Sequence, residues 1–501
     1  MKWVLYFIFI PLILFNIYLA SYSAIHGEVN FFNDVSRDFL LLREMDQKKI
    51  VFIGPRSNTN NLFHGPLWTY INYPAYVIGG GNPVFQAWFW LFIELVFLAT
   101  SFYMAKKLFG TFSALSFVLL LSVRLVPHIN GVFHSEATFF VMPVFLFSAA
   151  KYFMSKKARF LSLHFVSLVF LVQLNIGDGI PFLLLSVPVV LWFIIKHKLW
   201  KHLLAFLIFP VGFINFILFD IKHNFQMAKA LLGTGGSGKF FMSVPDWIWN
   251  RIDNTVSLEL LERGNQTLHF IIFTSVILCS YLIIKKSKKL RPVYLLFIYF
   301  YFGYFAFTYF NKGVLLFHYI YLLIPFTYFW LTSFLGSKYK FIFVFFVAIV
   351  FVMNLEAARN YVTYLQKDFM GKNPYSWVGL SSVANDVVKR QEGREFGYFV
   401  FAPDSFAYQP RYAMIYNFKA GHVNAFEYVK KETTYVIAQG APSNDPYMDY
   451  KWWVKAPVGI TAKPTRVNGF PNGYTVLEYH LTPEEQKIPH DKNIELGIHF
   501  R

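Results

Sequence analysis

Long apolar stretches recur along the first two thirds of the chain, separated by short polar segments. A run of about 20 apolar residues is long enough to cross the hydrocarbon core of a bilayer as a helix, and the runs in this chain predict about 11 transmembrane helices. They lie at residues 3–24, 84–104, 109–127, 136–153, 160–176, 180–195, 203–219, 268–284, 292–310, 313–334 and 341–355. The pattern therefore predicts an α-helical polytopic membrane protein.

Basic residues mark one side of these helices. The N-terminus and every second gap between the predicted helices carry Lys and Arg and no acidic residue. These basic residues are Lys2; Lys106 and Lys107; Lys151, Lys156, Lys157 and Arg159; Lys196, Lys198 and Lys201; Lys285, Lys286, Lys288, Lys289 and Arg291; and Lys338 and Lys340. Because cytoplasmic loops are enriched in Lys and Arg, these segments are expected to face the cytoplasm. The C-terminal region is then extracytoplasmic.

Composition agrees with this class of protein. The 501-residue sequence is 56% hydrophobic and 21% aromatic but only 15% charged, whereas soluble domains carry about 25% charged residues. The net charge of +18 does not indicate a nucleic-acid partner, because the basic residues are spread over short loops between apolar runs. The single cysteine, Cys279, excludes an internal disulfide. This Lys- and Phe-rich composition favours a bacterial plasma (inner) membrane.

The first apolar run has two interpretations. Lys2, the apolar run and the small residues at 20–24 also resemble a cleavable signal peptide. Because the run is longer than the usual apolar core of a signal peptide, a retained transmembrane helix is the preferred interpretation.

Three extracytoplasmic segments are long enough to contribute to a functional site. They are the first outer loop at 25–83, the second large outer loop at 220–267, and the tail at 356–501. The tail has a helical pattern near 376–391 and strand-like runs at Tyr398–Phe401, Thr434–Ile437 and Tyr474–Tyr479. The sequence therefore predicts a transmembrane module at 1–355 and a small α/β extracytoplasmic domain at 356–501.

An amphipathic helix is predicted at the start of the first outer loop. Asp34, Arg37 and Asp38 stand at positions i, i+3 and i+4 of this helix and therefore share one face. Two carboxylates beside one guanidinium form a compact polar cluster. The plainer interpretation is a solvated loop in which the Asp–Arg pair only stabilises a helix.

Further motifs accompany this cluster. They are Ile53-Gly-Pro-Arg56, His64-Gly-Pro-Leu-x-x-Tyr70, Phe219-Asp-x-Lys222-His223-x-Phe225, and His318-Tyr319-x-x-x-Leu-x-Pro325. Together with Asp34-x-x-Arg37-Asp38 they resemble the bacterial members of the GT-C glycosyltransferase superfamily. These are relatives of the protein O-mannosyltransferases and of the aminoarabinose transferases that act on lipid A.

The resemblance implies an inverting glycosyltransferase of the GT-C type. Such an enzyme moves a sugar from a polyprenyl-phosphate donor to an acceptor hydroxyl on a lipid, a glycan or a protein, at the outer face of the plasma membrane. By position in the motif, Asp34 is expected to be the general base that takes the acceptor proton, with Arg37 and Asp38 organising it.

The lipid phosphate that leaves gains negative charge and needs cationic or N–H partners. The expected donor-binding residues are Arg56, His64, Arg124, Lys222, His223, His318 and Tyr319. Arg124 is included because a charge at the outer end of a transmembrane helix is costly and usually has a partner. No cofactor is implied, and the spacing of His128, His134 and Glu136 matches no metal-ligand signature.

Several of these residues have plainer interpretations. Arg56 is solvated or binds lipid headgroups, and Lys222 and His223 cap the outer end of the seventh helix. His318 is an interhelical histidine, and Arg124 extends its head group to the lipid surface.

For the whole chain, the main alternative is a transporter or flippase for a lipid-linked substrate, followed by a non-catalytic scaffold. Transporters carry ionisable groups at the membrane midplane and repeated halves. Here only Glu94 lies clearly in the middle of a predicted span, and it has no assigned role. The transferase is therefore the preferred interpretation.

Overall fold

The structure is a computed structural model that describes residues 2–57, 59–233, 243–258, 260, 266–310, 317–391, 393–404, 406–441 and 448–495. The chain forms two compact units. The first comprises Met1–Ala20, Lys49–Ile71 and Trp90–Asn360, and the second comprises Ser21–Lys48, Asn72–Phe89 and Tyr361–Arg501. The predicted domain boundary at 355 stays a prediction.

Helices dominate the described residues. The α-helices are α1 Lys2–Ile25, α2 Asn33–Lys48, α3 Leu67–Ile78, α4 Pro83–Phe109, α5 Thr111–Leu125, α6 Thr138–Ser155, α7 Ala158–Leu174, α8 Ile176–His197, α9 Ile208–Gly212, α10 Ile214–Lys222, α11 Gln226–Gly233, α12 Val244–Leu258, α13 Gln266–Lys286, α14 Arg291–Thr308, α15 Leu323–Ser333, α16 Lys340–Tyr364, α17 Trp377–Gln391, α18 Tyr408–Ala420, α19 Tyr450–Lys455 and α20 Pro483–Lys487. The strands are β1 Phe396–Phe401, β2 Ala425–Glu427, β3 Thr433–Gln439, β4 Arg466–Gly469 and β5 Tyr474–His480.

A helix lies at each of the predicted membrane positions, so the prediction of a polytopic helical membrane protein is confirmed. Among the described residues, seven helices are long and apolar enough to cross a membrane, or eight with a pair bent by 47° at residues 200–222. Helices α7 and α15 are shorter, and residues 311–316, where the predicted span at 313–334 begins, lie outside the described residues. The count of eleven stays a prediction.

Local chemistry explains several helix ends. Asn82 precedes α4, and its side-chain oxygen accepts a hydrogen bond from the Val84 N–H at 2.9 Å, as a helix-capping side chain does. Lys156 and Lys198 end α6 and α8 in the left-handed conformation, each with φ of 55°. Cations near a helix C-terminus interact favourably with the helix dipole. The basic residues that follow α6 and α8 therefore stabilise these helix ends, in addition to indicating the predicted membrane orientation.

Aromatic side chains fill the core of the first unit. Phe145 of α6 meets Phe300 of α14 edge-on, with ring centroids 4.9 Å apart. Phe117 of α5 meets Phe329 of α15 in the same way at 5.0 Å. Such edge-to-face pairs add to the contribution of apolar packing, and here they join helices that are distant in sequence.

Several polar side chains inside this unit are paired across helices. Asn16 donates to Ser122 Oγ at 2.9 Å, and the Trp330 indole N–H donates to Ser280 Oγ at 2.8 Å. Hydrogen bonds of this kind join transmembrane helices. Glu94 is different, because both carboxylate oxygens are buried without a hydrogen-bond partner among the described residues.

A mixed sheet forms the centre of the second unit. Its strand order is β2-β1-β3-β5-β4. Strand β1 is parallel to β2 and β3, whereas β5 is antiparallel to β3 and β4. With α17 and α18 this confirms the predicted α/β character of the tail.

The amphipathic helix α2 belongs to this unit and packs against α18. Its apolar face is buried, and Phe39 lies 5.0 Å from the Tyr412 ring. Phe31, just before α2, contacts the rings of Trp377 and Tyr412 at 5.0 and 5.6 Å. The amphipathic helix is therefore confirmed, and its apolar side is covered by protein.

A buried carboxylate joins the start of the first outer loop to α17. Glu28 is fully buried and accepts hydrogen bonds from Ser376 Oγ at 2.5 Å and from the Val29 N–H at 2.9 Å. Burial raises the pKa of Glu28 to about 6, and these hydrogen bonds counteract only part of that rise.

We expect Glu28→Gln to change the pH dependence of stability. A carboxyl group whose pKa is higher in the folded state stabilises the fold below its unfolded pKa and loses that contribution as pH rises through about 6. Relative to the wild type, the variant should therefore gain up to about 2 kcal/mol between pH 4.5 and 7. Thermal unfolding of both proteins across this range measures the difference, and a constant difference in Tm contradicts the assignment.

Candidate functional site

The Asp34 cluster stands at the N-terminal end of α2. Arg37 Nη1 lies 2.7 Å from Asp34 Oδ1, and Arg37 Nη2 lies 3.2 Å from Asp38 Oδ1. The three residues that the sequence places on one helix face are therefore in direct contact. The Arg37 guanidinium forms an ion pair with each of the two carboxylates.

The two carboxylates differ in accessibility. The Asp34 side chain is 40% exposed, whereas the Asp38 side chain is only 6% exposed. Burial lowers the pKa of Arg37, but the Asp38 and Asp34 carboxylates more than offset this, and the pKa lies above its usual value. Arg37 is therefore a permanent cation that orients Asp34, and Asp34 is the member of the cluster that a substrate can reach.

A second set of polar residues lies in the first unit, around His64. This residue is buried, and its Nδ1 accepts a hydrogen bond from the Ile176 N–H at 3.2 Å. In the neutral ring the proton is then on Nε2. His64 is therefore an N–H donor whose orientation is set by the backbone at the start of α8.

The loop that carries His64 requires glycine at two positions. The Gly54 N–H donates to the His64 carbonyl at 2.8 Å, and the Gly65 N–H donates to the Gln173 carbonyl at 2.8 Å. A Cβ at Gly54 would overlap the Gly65 carbonyl oxygen, and a Cβ at Gly65 would overlap the Gln173 side-chain oxygen. The glycines of the Ile-Gly-Pro-Arg and His-Gly-Pro motifs therefore allow the close approach that positions His64.

Further rings extend this site. The His64 and His134 ring centroids are 4.5 Å apart, and Phe133 lies 5.9 Å from His318. His318 also contacts its neighbour Tyr319, with centroids 4.4 Å apart. We name His64, Phe133, His134, His318 and Tyr319 the histidine cluster. It brings together predicted residues from the first outer loop and from the segment before α15.

His128 and Glu136 lie in the same segment as His134. The His128 Nδ1 is 3.4 Å from Glu136 Oε1, and the His128 ring packs on Tyr321 with centroids 4.6 Å apart. In the part of the chain that the structure describes, no group of three or more His, Cys, Asp or Glu side chains is arranged to hold a metal ion.

The sequence reasoning did not find a buried network next to Tyr319. Asp178, at the start of α8, accepts hydrogen bonds from the Tyr304 hydroxyl and from the Asn175 side chain, each at 2.8 Å. The Tyr304 hydroxyl also bonds the Tyr319 carbonyl at 2.5 Å. This network connects α8 and α14 to the histidine cluster. Its sequence signal is an Asn-x-x-Asp step between two predicted membrane helices.

Arg124 is buried, with 1% of its surface exposed, and donates to Asn354 Oδ1 at 3.4 Å. Asn354 in turn donates to the Leu260 carbonyl at 2.9 Å. The interpretation in which Arg124 extends to lipid headgroups is therefore wrong. Arg124 joins α5 to α16 through a side-chain hydrogen bond.

The remaining predicted residues are on or near the surface of the first unit. Arg56 is exposed and forms an isolated β-bridge with Phe63, and Lys222 is exposed at the end of α10. His223 stacks on Phe219 with centroids 4.2 Å apart, and Phe219 contacts Phe63 at 5.6 Å. The Phe219 motif therefore contacts the first outer loop at Phe63, the residue that forms the β-bridge with Arg56.

Comparison with solved structures identifies the architecture. ArnT from Cupriavidus metallidurans bound to undecaprenyl phosphate superposes with a TM-score of 0.60 at 12% identity, over 96% of this chain and 98% of that chain. Its apo structure gives 0.59 at 10% identity, over 95% and 98%. The Archaeoglobus fulgidus oligosaccharyltransferase complex with Zn and sulfate gives 0.48 at 9% identity, over 85% and 68%.

The chain has the GT-C fold. The resemblance carried by the sequence motifs is thereby confirmed at the level of the fold. No protein-family model and no curated protein sequence matches the chain. The sequence identities to these solved structures are low, so the comparison establishes the fold alone. The chemistry is inferred from the residues of this chain.

Gly65→Ala tests the loop geometry. The added Cβ would overlap the Gln173 side chain and lie 2.9 Å from its Cα, so the loop must shift and we expect a loss of about 1–3 kcal/mol of stability. Thermal unfolding of the purified protein measures this loss. Gly233→Ala is the matched control, because no atom lies within 4 Å of its added Cβ. Equal unfolding temperatures for the two variants would contradict the described loop.

Proposed function

We propose that this chain is an inverting glycosyltransferase at the extracytoplasmic face of a bacterial plasma membrane. It takes a sugar from a polyprenyl-phosphate donor and transfers it to an acceptor hydroxyl. The observation that carries the proposal is a carboxylate with 40% of its side chain exposed, held 2.7 Å from a guanidinium whose side chain is 14% exposed, in a chain with the GT-C fold.

The Asp34 cluster supplies what the attacking hydroxyl requires. As the acceptor oxygen approaches the anomeric carbon, its proton must pass to a base, and a carboxylate is a suitable acceptor. Asp34 is the accessible carboxylate, whereas Asp38 is buried against Arg37. We therefore assign the general base to Asp34. Arg37 and Asp38 are positioning residues that fix its orientation.

The histidine cluster is assigned to the donor phosphate. When the bond between the anomeric carbon and the phosphate oxygen breaks, the phosphate gains charge that N–H donors stabilise. His64 presents Nε2–H because its Nδ1 is occupied by the Ile176 N–H. His134 and His318 contribute further ring nitrogens, and exposed Arg56 and Lys222 supply positive charge on the same unit.

The donor class follows from the membrane setting. A polyprenyl chain remains in the bilayer, while its sugar phosphate stays at the interface, so a multi-pass protein with polar residues at its outer face suits such a donor. ArnT, which shares the fold, was solved with undecaprenyl phosphate bound. We propose the same class of lipid phosphate here, with a lipid, a glycan or a protein as acceptor.

Asp34→Asn should abolish turnover. Removing a general base typically costs 10²- to 10⁴-fold in rate, so we expect a loss of about that size. Purified full-length protein is given radiolabelled polyprenyl-phosphate sugars, and both transfer and slow donor hydrolysis are followed. Glu44→Gln is the matched control, because Glu44 lies on the same helix and pairs with Lys48 at 2.7 Å. Full activity of Asp34→Asn would remove Asp34 from the mechanism.

His64→Asn should weaken donor binding. The donor phosphate is already an anion when it binds, so losing the His64 N–H bond costs about tenfold or more in affinity, and the KM for the donor should rise by at least that factor. Because the phosphate gains further charge as the bond breaks, kcat should fall as well. His197→Asn is the control, because His197 is a histidine at the end of α8 that takes no part in the histidine cluster. An unchanged KM with intact folding would exclude His64 from the phosphate site.

A further inference from the structure

The second unit contains a pocket of about 620 Å³ that the proposed chemistry does not use. Its lining comes from the C-terminal half of α2, the end of α3, β1, α18 and β2, all within this unit. A pocket of this size suits a small ligand or one part of a larger one.

The pocket wall is rich in aromatic rings. Tyr76, Tyr398, Tyr412, Tyr416 and Phe426 line it. The Tyr412 hydroxyl donates to the Gly81 carbonyl at 2.6 Å, and Tyr76 is hydrogen-bonded to Tyr412. The deeper rings are therefore held by the protein, whereas Tyr416 is half-buried and Phe426 is exposed. The Lys431 ammonium lies over Phe426, 4.3 Å from the ring centroid, so Tyr416 is the ring best able to present a face to a ligand.

Among the polar side chains of the pocket, Arg43 gives the main indication that a ligand binds. It is half-buried on α2 and lies close enough to Tyr76, Tyr398 and Tyr412 to act on them electrostatically. Within the described ranges, Arg43 makes no hydrogen bond and no ion pair. A guanidinium has five N–H donors, so a half-buried Arg43 presents donors that a bound molecule can use.

A fixed acceptor also lines the pocket. Glu427 on β2 pairs with Tyr398 on β1 in the sheet register, and its Oε1 accepts a hydrogen bond from buried Arg411 at 2.6 Å. Its other oxygen, Oε2, has no hydrogen-bond partner in the part of the chain that the structure describes. The pocket therefore offers an oriented carboxylate as well as a guanidinium.

The charges on the pocket wall are balanced. Arg43 and Lys419 are opposed by Asp46 and Glu427. A polyanion would meet Asp46 and Glu427 as well as the basic groups, and a cation would meet Arg43 and Lys419, so neither kind of ion is matched by the whole wall. A neutral molecule rich in hydroxyl groups can donate to the carboxylates and accept from the basic side chains at the same time. Its apolar C–H faces can also pack on aromatic rings.

We propose that this pocket binds a saccharide. As part of a transferase, the saccharide would be a unit of the acceptor glycan, an identification that rests on the proposed function. The binding itself rests only on Arg43, Glu427 and the aromatic wall. Among the acceptor classes that the sequence leaves open, the pocket favours a glycan or a glycolipid over a protein.

Binding is measured without turnover by saturation-transfer difference NMR on the full-length protein in nanodiscs. The probes are neutral, amino and acidic methyl glycosides and their tetrasaccharides, with methyl phosphate as the anion probe, because its methyl protons can be observed in this experiment. We expect at least one glycoside series to bind. Arg43→Gln and Tyr416→Ala should weaken that binding by roughly tenfold, the loss that accompanies a hydrogen bond to a charged group or a stacked ring.

Arg394→Gln and Tyr375→Ala are the matched controls, because both residues are exposed in the same unit and neither lines the pocket. They should bind like the wild type. Binding to no glycoside, equal binding by Arg43→Gln and the wild type, or Arg43-dependent binding of methyl phosphate alone would each overturn the proposal. If the protein binds glycosides but turns over no lipid-linked donor, the proposed saccharide pocket stands and the proposed glycosyltransferase function is wrong.

Discussion

The hydrocarbon core of the membrane is the constraint on which this structure depends. Inside it, every backbone N–H and C=O must be bonded within the protein, so the chain crosses as helices. Charged side chains are costly there, so they gather at the helix ends and in the loops. This separation leaves Asp34, Arg37 and Asp38 outside the apolar runs.

Within the polar part, a single guanidinium determines how the carboxylates behave. Arg37 is bonded to a buried carboxylate on one side and to an accessible one on the other. Removing Arg37 would leave Asp38 buried without its partner, which is far more costly than losing an exposed ion pair. The buried half of the cluster therefore stabilises the helix end. The accessible half, Asp34, is the carboxylate that we propose as the general base.

Much of this arrangement could be predicted from the sequence because the signals are local. Apolar runs and basic gaps indicated the helices, and the i, i+3, i+4 spacing of the Asp34 cluster gave its contacts directly. The His-Gly-Pro motif indicated a functional loop, and the structure adds the reason, which is the close approach of Gly65 to Gln173.

What the sequence did not show depends on residues that are distant along the chain. Asp178 and Tyr304 meet across 126 positions, and Arg124 and Asn354 meet across 230, and neither pair has a local periodicity to detect. The same holds for the packing of α2 on α18 and for the mixed strand order of the sheet. His134 was noticed as a possible metal ligand, whereas its contact with His64 places it in a cluster of ring donors.

The central claim is that the bond between sugar and lipid phosphate is broken by this protein. Proteoliposomes containing the full-length chain and a polyprenyl-phosphate sugar, labelled separately in the sugar and in the lipid, test this directly. The account predicts that the sugar label separates from the lipid label and appears on the acceptor or in water. A sugar that stays attached to its lipid and becomes accessible in the opposite leaflet would contradict the account and identify a flippase.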